Sequence, residues 1–79
     1  MTIPTIEIIR SNFTKVTIGK VTIWFSYVTP IAFSTEATGL VASKNVWSQT
    51  TGHHLNELVE KKKRVAHEVF TQMLYDVCK

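Results

Sequence analysis

The most constraining feature of this chain is a near-palindrome of β-branched residues around a Gly-Lys pair, Val16-Thr17-Ile18-Gly19-Lys20-Val21-Thr22-Ile23. Two alternating runs that flank such a pair predict a β-hairpin. Gly19 is able to take the positive φ that the first central position of a type II′ turn requires. That turn pairs Ile18 with Val21, Thr17 with Thr22 and Val16 with Ile23.

The alternation also assigns the hairpin side chains to two faces. An antiparallel pair with one face on a core and one in water shows this apolar-polar pattern. The face expected on the core collects Val16, Ile18, Val21, Ile23 and Phe25. The face expected in water carries Lys15, Thr17, Lys20, Thr22 and Trp24.

Further strands are predicted on both sides of the hairpin. The Ile-rich segment Thr5 to Arg10 reads as a strand that Ser11-Asn12 ends, and Leu40-Val41-Ala42 reads as a short strand after a polar loop from Ser34 to Gly39. Pro30 is expected to interrupt the ladder before the apolar Ile31-Ala32-Phe33, because proline has no N–H to donate. We expect three to five strands in one antiparallel sheet, with the strand order left open.

The spacing of apolar residues changes to a helical period from about His53 to Cys78. One stripe collects Leu55, Leu58, Val59, Ala66, Val69, Phe70, Met73 and Val77. Thr50 or Thr51 is the expected N-cap. With 79 residues the chain has room for a single domain. The sequence therefore predicts an α+β domain, with a sheet region in residues 1–50 packed by one long C-terminal helix in residues 51–79.

A helix of that length bears on partners as well as on the fold. It would extend nearly 40 Å, about twice a strand of typical length, and would overhang its sheet. Because the stripe stays apolar to the end, we expect the overhang to pack on a second copy of the chain or on another protein. The candidate partner-binding residues are Lys62, Phe70, Met73, Tyr27 and Trp47.

The basic run Lys61-Lys62-Lys63-Arg64 raises the possibility of nucleic-acid binding. Four successive helical residues point about 100° apart and do not form one face, and Glu57 and Glu60 precede Lys61 and Arg64 at ion-pair spacing. The formal charge of +3 is only a mild excess. The alternative to protein binding is nevertheless a nucleic-acid surface, on which Trp24 stacks a base. Its residues would be Trp24, Lys15, Lys20, Lys61, Lys63 and Arg64.

Catalytic and metal chemistry receive little support from the sequence. The three histidines and the single cysteine, Cys78, lack the spacing of a zinc site, and no nucleophile has a base at a telling distance in sequence. We expect no enzyme activity, no metal and no cofactor; a minimal enzyme at the helix N-terminus around His53 and His54 is the third and least favoured alternative. A predicted helix N-terminus attracts anions, so a phosphate or carboxylate could bind there, although ordinary capping explains the same residues. They are Thr50, Thr51, Gly52, His53 and His54.

No segment of the sequence resembles a membrane span or an export signal. The longest uncharged stretch, Val21 to Thr35, is too short and too polar to cross a bilayer, and the N-terminus lacks a basic start with an apolar core. One cysteine cannot close an internal disulfide. We expect a soluble cytoplasmic protein.

Two segments resemble small uncharacterised proteins of bacteriophages and prophages. They are Ser26-Tyr27-Val28-Thr29-Pro30-Ile31-Ala32-Phe33 and Asn45-Val46-Trp47-Ser48-Gln49-Thr50-Thr51-Gly52-His53-His54-Leu55-Asn56. The resemblance implies a phage-related product in the host cytoplasm and no particular activity. It makes the polar members of both segments candidates for a functional surface: Ser26, Tyr27, Thr29, Asn45, Ser48, Thr50, Thr51 and His54.

Together these features favour a small non-enzymatic protein-binding module. The phage resemblance implies an accessory factor that inhibits or recruits a host or phage protein. Nucleic-acid binding remains the alternative.

Overall fold

A computed structural model of the chain describes residues 4–45, 47 and 49–78. Five antiparallel strands form one open sheet in the order of the sequence, and two α-helices follow. The α+β prediction and the antiparallel sheet are therefore confirmed. The elements are β1 (Thr5–Arg10), β2 (Phe13–Ile18), β3 (Val21–Ser26), β4 (Thr29–Thr35), β5 (Gly39–Ala42), α1 (Gln49–Leu58), a 3-10 turn (Lys61–Lys63) and α2 (His67–Cys78).

The β2–β3 hairpin has the predicted register, with Ile18 opposite Val21 and Val16 opposite Ile23. Gly19 has a φ of 60°, while Lys20 does not have a positive φ. A type II′ turn needs a positive φ only at its first central residue. The local sequence pattern therefore determined this hairpin.

We predicted that Pro30 interrupts the ladder, but β4 continues through this residue. Phe25 lies opposite Pro30 and Trp24 lies opposite Ala32, so Ile31 is the extra residue of a β-bulge. A bulge is one of the few places where proline fits inside a sheet. The bulge lets Ile31 and Ala32 join the same buried cluster.

Each face of the sheet carries one helix. The face that contains Trp24, Ala32 and Ala42 packs against Leu55 of α1, and we call it the α1 face. Neighbouring strand residues point to opposite sides, so Phe33 lies on the other face, the α2 face. There its ring lies 5.7 Å from that of Phe70 in α2.

The prediction that the Trp24 face lies in water is wrong. Trp24 packs against the α1-face cluster, at the centre of which Phe13 and Leu55 are fully buried. The predicted division of residues between the two faces is correct. The assignment of the Trp24 face to water was wrong because the sequence pattern of a hairpin does not show whether a helix also covers its more polar face.

The single long helix is confirmed only in part: residues 49–78 are largely helical, but the helical region breaks between Leu58 and His67. Val65 there pairs with Ser43 as a parallel β-bridge beyond the end of β5. The Lys44 N–H donates to the Val65 carbonyl over 2.8 Å, and the Val65 N–H donates to the Ala42 carbonyl over 2.9 Å. The chain thus passes round the β5 edge from the α1 face to the α2 face.

This break removes the predicted overhang. At 1.5 Å per residue, α1 and α2 are about 15 Å and 18 Å long, close to the length of a strand. Phe70 is buried at 2% exposure and Met73 is half-buried. The apolar stripe of the sequence is divided between two faces of the protein's own sheet.

Candidate functional site

Exposure changes steeply along one cross-strand row of the α2 face. Ile6, Val16, Ile23 and Phe33 are direct neighbours on β1 to β4. Ile6 is 67% exposed, Val16 and Ile23 are half-buried, and Phe33 is fully buried. The α2 face is therefore covered on its β4 side and open on its β1 side.

The open side carries three isoleucines, which we call the β1 apolar surface. Ile6, Ile8 and Ile18 share the α2 face by register and are 67%, 75% and 47% exposed. Ile6 pairs with Val16, so Ile18 lies diagonally across from Ile6 at a distance that large side chains can bridge. Exposed apolar residues grouped on one face are typical of protein contact sites.

A second exposed apolar feature is the turn between β3 and β4. Val28 is 90% exposed, and Tyr27 is about half exposed with a φ of 58°. A bulky residue in the left-handed region is uncommon and costs backbone energy. The turn presents an aromatic ring and an isopropyl group at one end of the sheet.

A buried polar network joins α1 to β3. The Ser26 hydroxyl lies 2.9 Å from the Thr51 hydroxyl and 2.8 Å from Nδ1 of His54. All three residues are buried, and the His54 ring stacks on Phe13 with centroids 4.5 Å apart. A hydroxyl bonded to an imidazole is also the pairing of nucleophilic enzymes. Ser26 is only 1% exposed, however, so this pair fastens α1 to the sheet.

A second histidine fastens the start of α2 to the end of β5. The Ser43 hydroxyl donates to the Lys44 carbonyl over 2.8 Å and lies 3.3 Å from Nδ1 of His67. Because the hydroxyl proton is used on Lys44, Nδ1 of His67 is the donor in the second contact. The Trp47 ring meets His67 edge-on at 5.3 Å. Both helices are thus anchored by a serine-histidine contact.

Arg64 holds the end of α1 and is nearly buried, at 6% exposure. Its Nε donates to the Val59 carbonyl over 3.1 Å, and its Nη2 donates to the Asn56 side-chain oxygen over 2.6 Å. The last carbonyls of a helix lack partners within the helix. A positive charge at this end also interacts favourably with the helix dipole.

A basic cleft lies beside Arg64. Lys44, Asn45, Lys62 and Arg64 line a cavity of about 520 Å³. The Ser43–Val65 bridge positions these residues, because it places Lys44 next to the segment that contains Arg64. Lys62 also lies 3.8 Å from Glu60 in an exposed ion pair, which contributes little to stability.

Comparison with protein families gives the relationship of this chain. A model of the family of unknown function DUF8033 matches residues 3–76. The chain belongs to the DUF8033 family. No curated protein and no solved structure gives a match.

In this DUF8033 member, the predicted partner-binding residues do not form one surface. Phe70 belongs to the core, Met73 is half-buried, and Trp47 packs against the α1-face cluster and His67. Tyr27 is exposed at the β3–β4 turn, and Lys62 lies in the 3-10 turn, not in a helical stripe.

The predicted nucleic-acid residues are scattered in the same way. Trp24 is half-buried, and the Lys15 ammonium lies 5.7 Å from the centroid of its ring. Lys20 pairs with Glu36 at 3.6 Å. Arg64 binds Val59 and Asn56, in place of the helical pair with Glu60 that the sequence predicted. Lys63 is exposed in the 3-10 turn, and the side chain of Lys61 lies outside the described part of the structure.

The residues of the predicted anion site do not lie together at the N-terminus of α1. The helix begins at Gln49, so Thr50 and Thr51 lie inside it and neither is the N-cap. Thr51 and His54 are turned to Ser26, Gly52 is half-buried and His53 is exposed. Ser26, Thr51 and His54, which the phage resemblance proposed for a functional surface, are buried, and Ser48 lies outside the described residues.

Among the described residues, no group of three or more His, Cys, Asp or Glu side chains could hold a metal ion. No helix within the same residues is long and apolar enough to span a membrane.

Proposed function

We propose that this chain is a non-enzymatic protein-binding module and that the β1 apolar surface is its contact site. The exposure of Ile6 and Ile8, at 67% and 75%, carries the proposal. Full burial of one isoleucine side chain stabilises by about 1.5–3 kcal/mol, so a partner that covers both gains a substantial part of a specific binding energy. Both side chains lie on the part of β1 that pairs with β2 in regular register, before the irregularity between Ile8 and Arg10.

A second copy of this chain is the first partner that we propose. Two-fold dimers bury the same patch on both copies and are the commonest assembly of soluble proteins. The resemblance to phage proteins supports an extension in which the same surface inhibits or recruits a phage or host protein in the host cytoplasm. Both interactions would use Ile6 and Ile8.

Site-specific photo-cross-linking tests this surface directly. A benzophenone amino acid replaces Ile8 in one variant and Glu7 in a matched control, whose side chain points to the opposite face of the same strand. Irradiation of the purified full chain is expected to give a covalent dimer from position 8 and little from position 7. Sedimentation of the unmodified chain over a range of concentrations should show the same dimer, and Ile6→Lys should weaken it.

The control for the lysine change is Thr5→Lys, which adds the same charge to the other face of β1. Equal cross-linking from both positions, or equal weakening by both lysines, would contradict the proposed contact site.

Nucleic-acid binding is the second candidate, supported by the Lys15 ammonium over the ring of Trp24. A base that stacks on Trp24 has to displace Lys15, which then becomes free to bind a phosphate. Tryptophan fluorescence titrated with short single-stranded and duplex DNA at low and physiological salt tests this candidate. Saturable quenching that Trp24→Phe removes and salt weakens would support it, and a flat titration at both salts would exclude it.

A further inference from the structure

We propose that the basic cleft of Lys44, Asn45, Lys62 and Arg64 binds the phosphoryl group of a small phosphorylated molecule. Three of these four lining residues are cations, and none of the lining residues within the described ranges is acidic. The cavity volume of about 520 Å³ falls within the range of small-molecule sites. It is larger than one phosphoryl group needs, which leaves room for an organic part of the ligand.

The fold brings this site together from two distant segments. Lys44 and Asn45 follow β5, whereas Lys62 and Arg64 belong to the passage between α1 and α2. The backbone bonds of Val65 to Ala42 and Lys44 hold the two segments side by side. These bonds fix the backbone of Lys44 beside the segment that contains Arg64.

Arg64 is the residue best prepared for an anion. Its guanidinium is fixed by the bonds to Val59 and Asn56, which occupy two of its five N–H donors. A guanidinium held in place binds oxyanions in a planar, two-pronged geometry with little loss of side-chain freedom. Lys44 and Lys62 are exposed, so their ammonium groups can close on a ligand from the rim.

Charge and shape favour a phosphoryl group on a small molecule over a carboxylate or a polynucleotide. With Glu60 3.8 Å from Lys62, the three cations still leave a net positive charge of two, which matches a group with two or more negative charges better than a carboxylate with one. A polynucleotide needs a basic track that follows its backbone. The neighbouring Lys63 lines a different cavity together with Glu60 and Leu40, so the basic lining of the cleft does not continue along this turn.

NMR titration of the 15N-labelled full chain with pyrophosphate tests the proposal. The resonances to follow are the amides of Lys44 and Val65 and the Nε–Hε group of Arg64. We expect saturable shifts at all three, and we expect Lys44→Gln and Lys62→Gln each to weaken binding about tenfold, as for the loss of one charge-assisted hydrogen bond.

Lys63→Gln is the matched control, because it removes the same charge from the same turn but faces the other cavity. Its affinity for pyrophosphate should stay within about twofold of the unmodified chain, since exposed charges outside a site contribute little. Equal weakening by Lys63→Gln would reduce the effect to net charge and overturn the proposal.

Two other ligands complete the test. Citrate that binds as tightly as pyrophosphate would overturn the preference for phosphoryl groups. A short oligothymidylate that binds more tightly than pyrophosphate, with a steep salt dependence and shifts at Lys15, would overturn the small-molecule ligand in favour of nucleic acid. Shifts that never saturate would overturn the site itself.

Discussion

Asn12 and Tyr27 are hydrogen bonded to each other, and both have left-handed backbones. The Tyr27 N–H donates to the Asn12 carbonyl over 2.7 Å, and the φ angles are 62° for Asn12 and 58° for Tyr27. The bond ties the β1–β2 turn to the β3–β4 turn. Asparagine tolerates this conformation, whereas for tyrosine it costs roughly 1–2 kcal/mol. The bond between the turns holds Tyr27 in a conformation that its side chain opposes.

Tyr27→Gly is expected to raise the free energy of unfolding by about 0.5–1 kcal/mol, because glycine removes the strain but adds entropy to the unfolded chain. Urea denaturation measures the change. Asn12→Gly is the control at the other left-handed position, and its gain should be smaller. A loss of stability in Tyr27→Gly would show that the ring contributes more by packing than the backbone conformation costs.

Arg64→Ala should lower the free energy of unfolding by about 2 kcal/mol, because it removes two hydrogen bonds of a charged donor from the end of α1. The matched change Lys63→Ala, at an exposed position in the adjacent turn, should alter it by less than about 0.5 kcal/mol. Both values come from urea denaturation. Similar losses in the two variants would argue against the capping role of Arg64.

Ser26→Ala is expected to cost about 1–3 kcal/mol of stability, since it breaks the buried contacts to Thr51 and His54. Amide hydrogen exchange should show the largest loss of protection in α1, which this network attaches to β3. Ser11→Ala removes the same hydroxyl from an exposed turn and serves as the control. Uniform loss of protection across both helices would contradict a local role for Ser26.

Gly52→Ala sets helix propensity against the packing of Asn45. A Cβ at position 52 would lie 2.9 Å from the Asn45 amide nitrogen. The Asn45 side chain, which accepts the Trp47 N–H at 3.0 Å, therefore has to move. Alanine gains roughly 1 kcal/mol over glycine inside a helix, so we expect the two effects nearly to cancel.

A double-mutant cycle separates those two effects. In an Asn45→Ala background, Gly52→Ala should stabilise the chain by about 1 kcal/mol, because only the helix propensity remains. If Gly52→Ala changed the free energy of unfolding equally in both backgrounds, the Asn45 side chain would move aside without loss of stability.

The sheet was largely predictable because its determinants are local. The Gly19 turn fixes the register of β2 and β3, and the alternation in β1 places Ile6 and Ile8 on one face. The place of Pro30 inside β4 was not predictable, because the bulge that accommodates it depends on the pairing with β3, and the sequence of one strand does not show that pairing.

The two helices were not separable by periodicity. Leu55 and Phe70 fall on one stripe in the sequence, yet they pack on opposite faces of the sheet. When the apolar residues of a second helix continue the spacing of the first, the sequence pattern of two helices is identical to that of one long helix. The pairing of Val65 with Ser43 produces the break, and it joins residues far apart in sequence.

The candidate sites also depend on contacts between residues far apart in sequence. Ile6 and Ile8 are exposed because α2 does not cover the β1 side of the sheet. The cleft brings together Lys44 and Arg64, which are separated in sequence by the whole of α1. Nothing in the local sequence around Lys44 marks it as a neighbour of that arginine. The basic run is visible in the sequence, but the burial of Arg64 within it is not.

The Ser43–Val65 bridge has a thermodynamic consequence for any ligand of the cleft. Unfolding separates Lys44 from Arg64, so a ligand that needs both binds only the native chain. By mass action, such a ligand at about 100 times its dissociation constant would add roughly 2.7 kcal/mol to the free energy of unfolding. The melting temperature would then rise with ligand concentration, and a heat-stability screen of phosphorylated metabolites would identify the ligand without an assay of function.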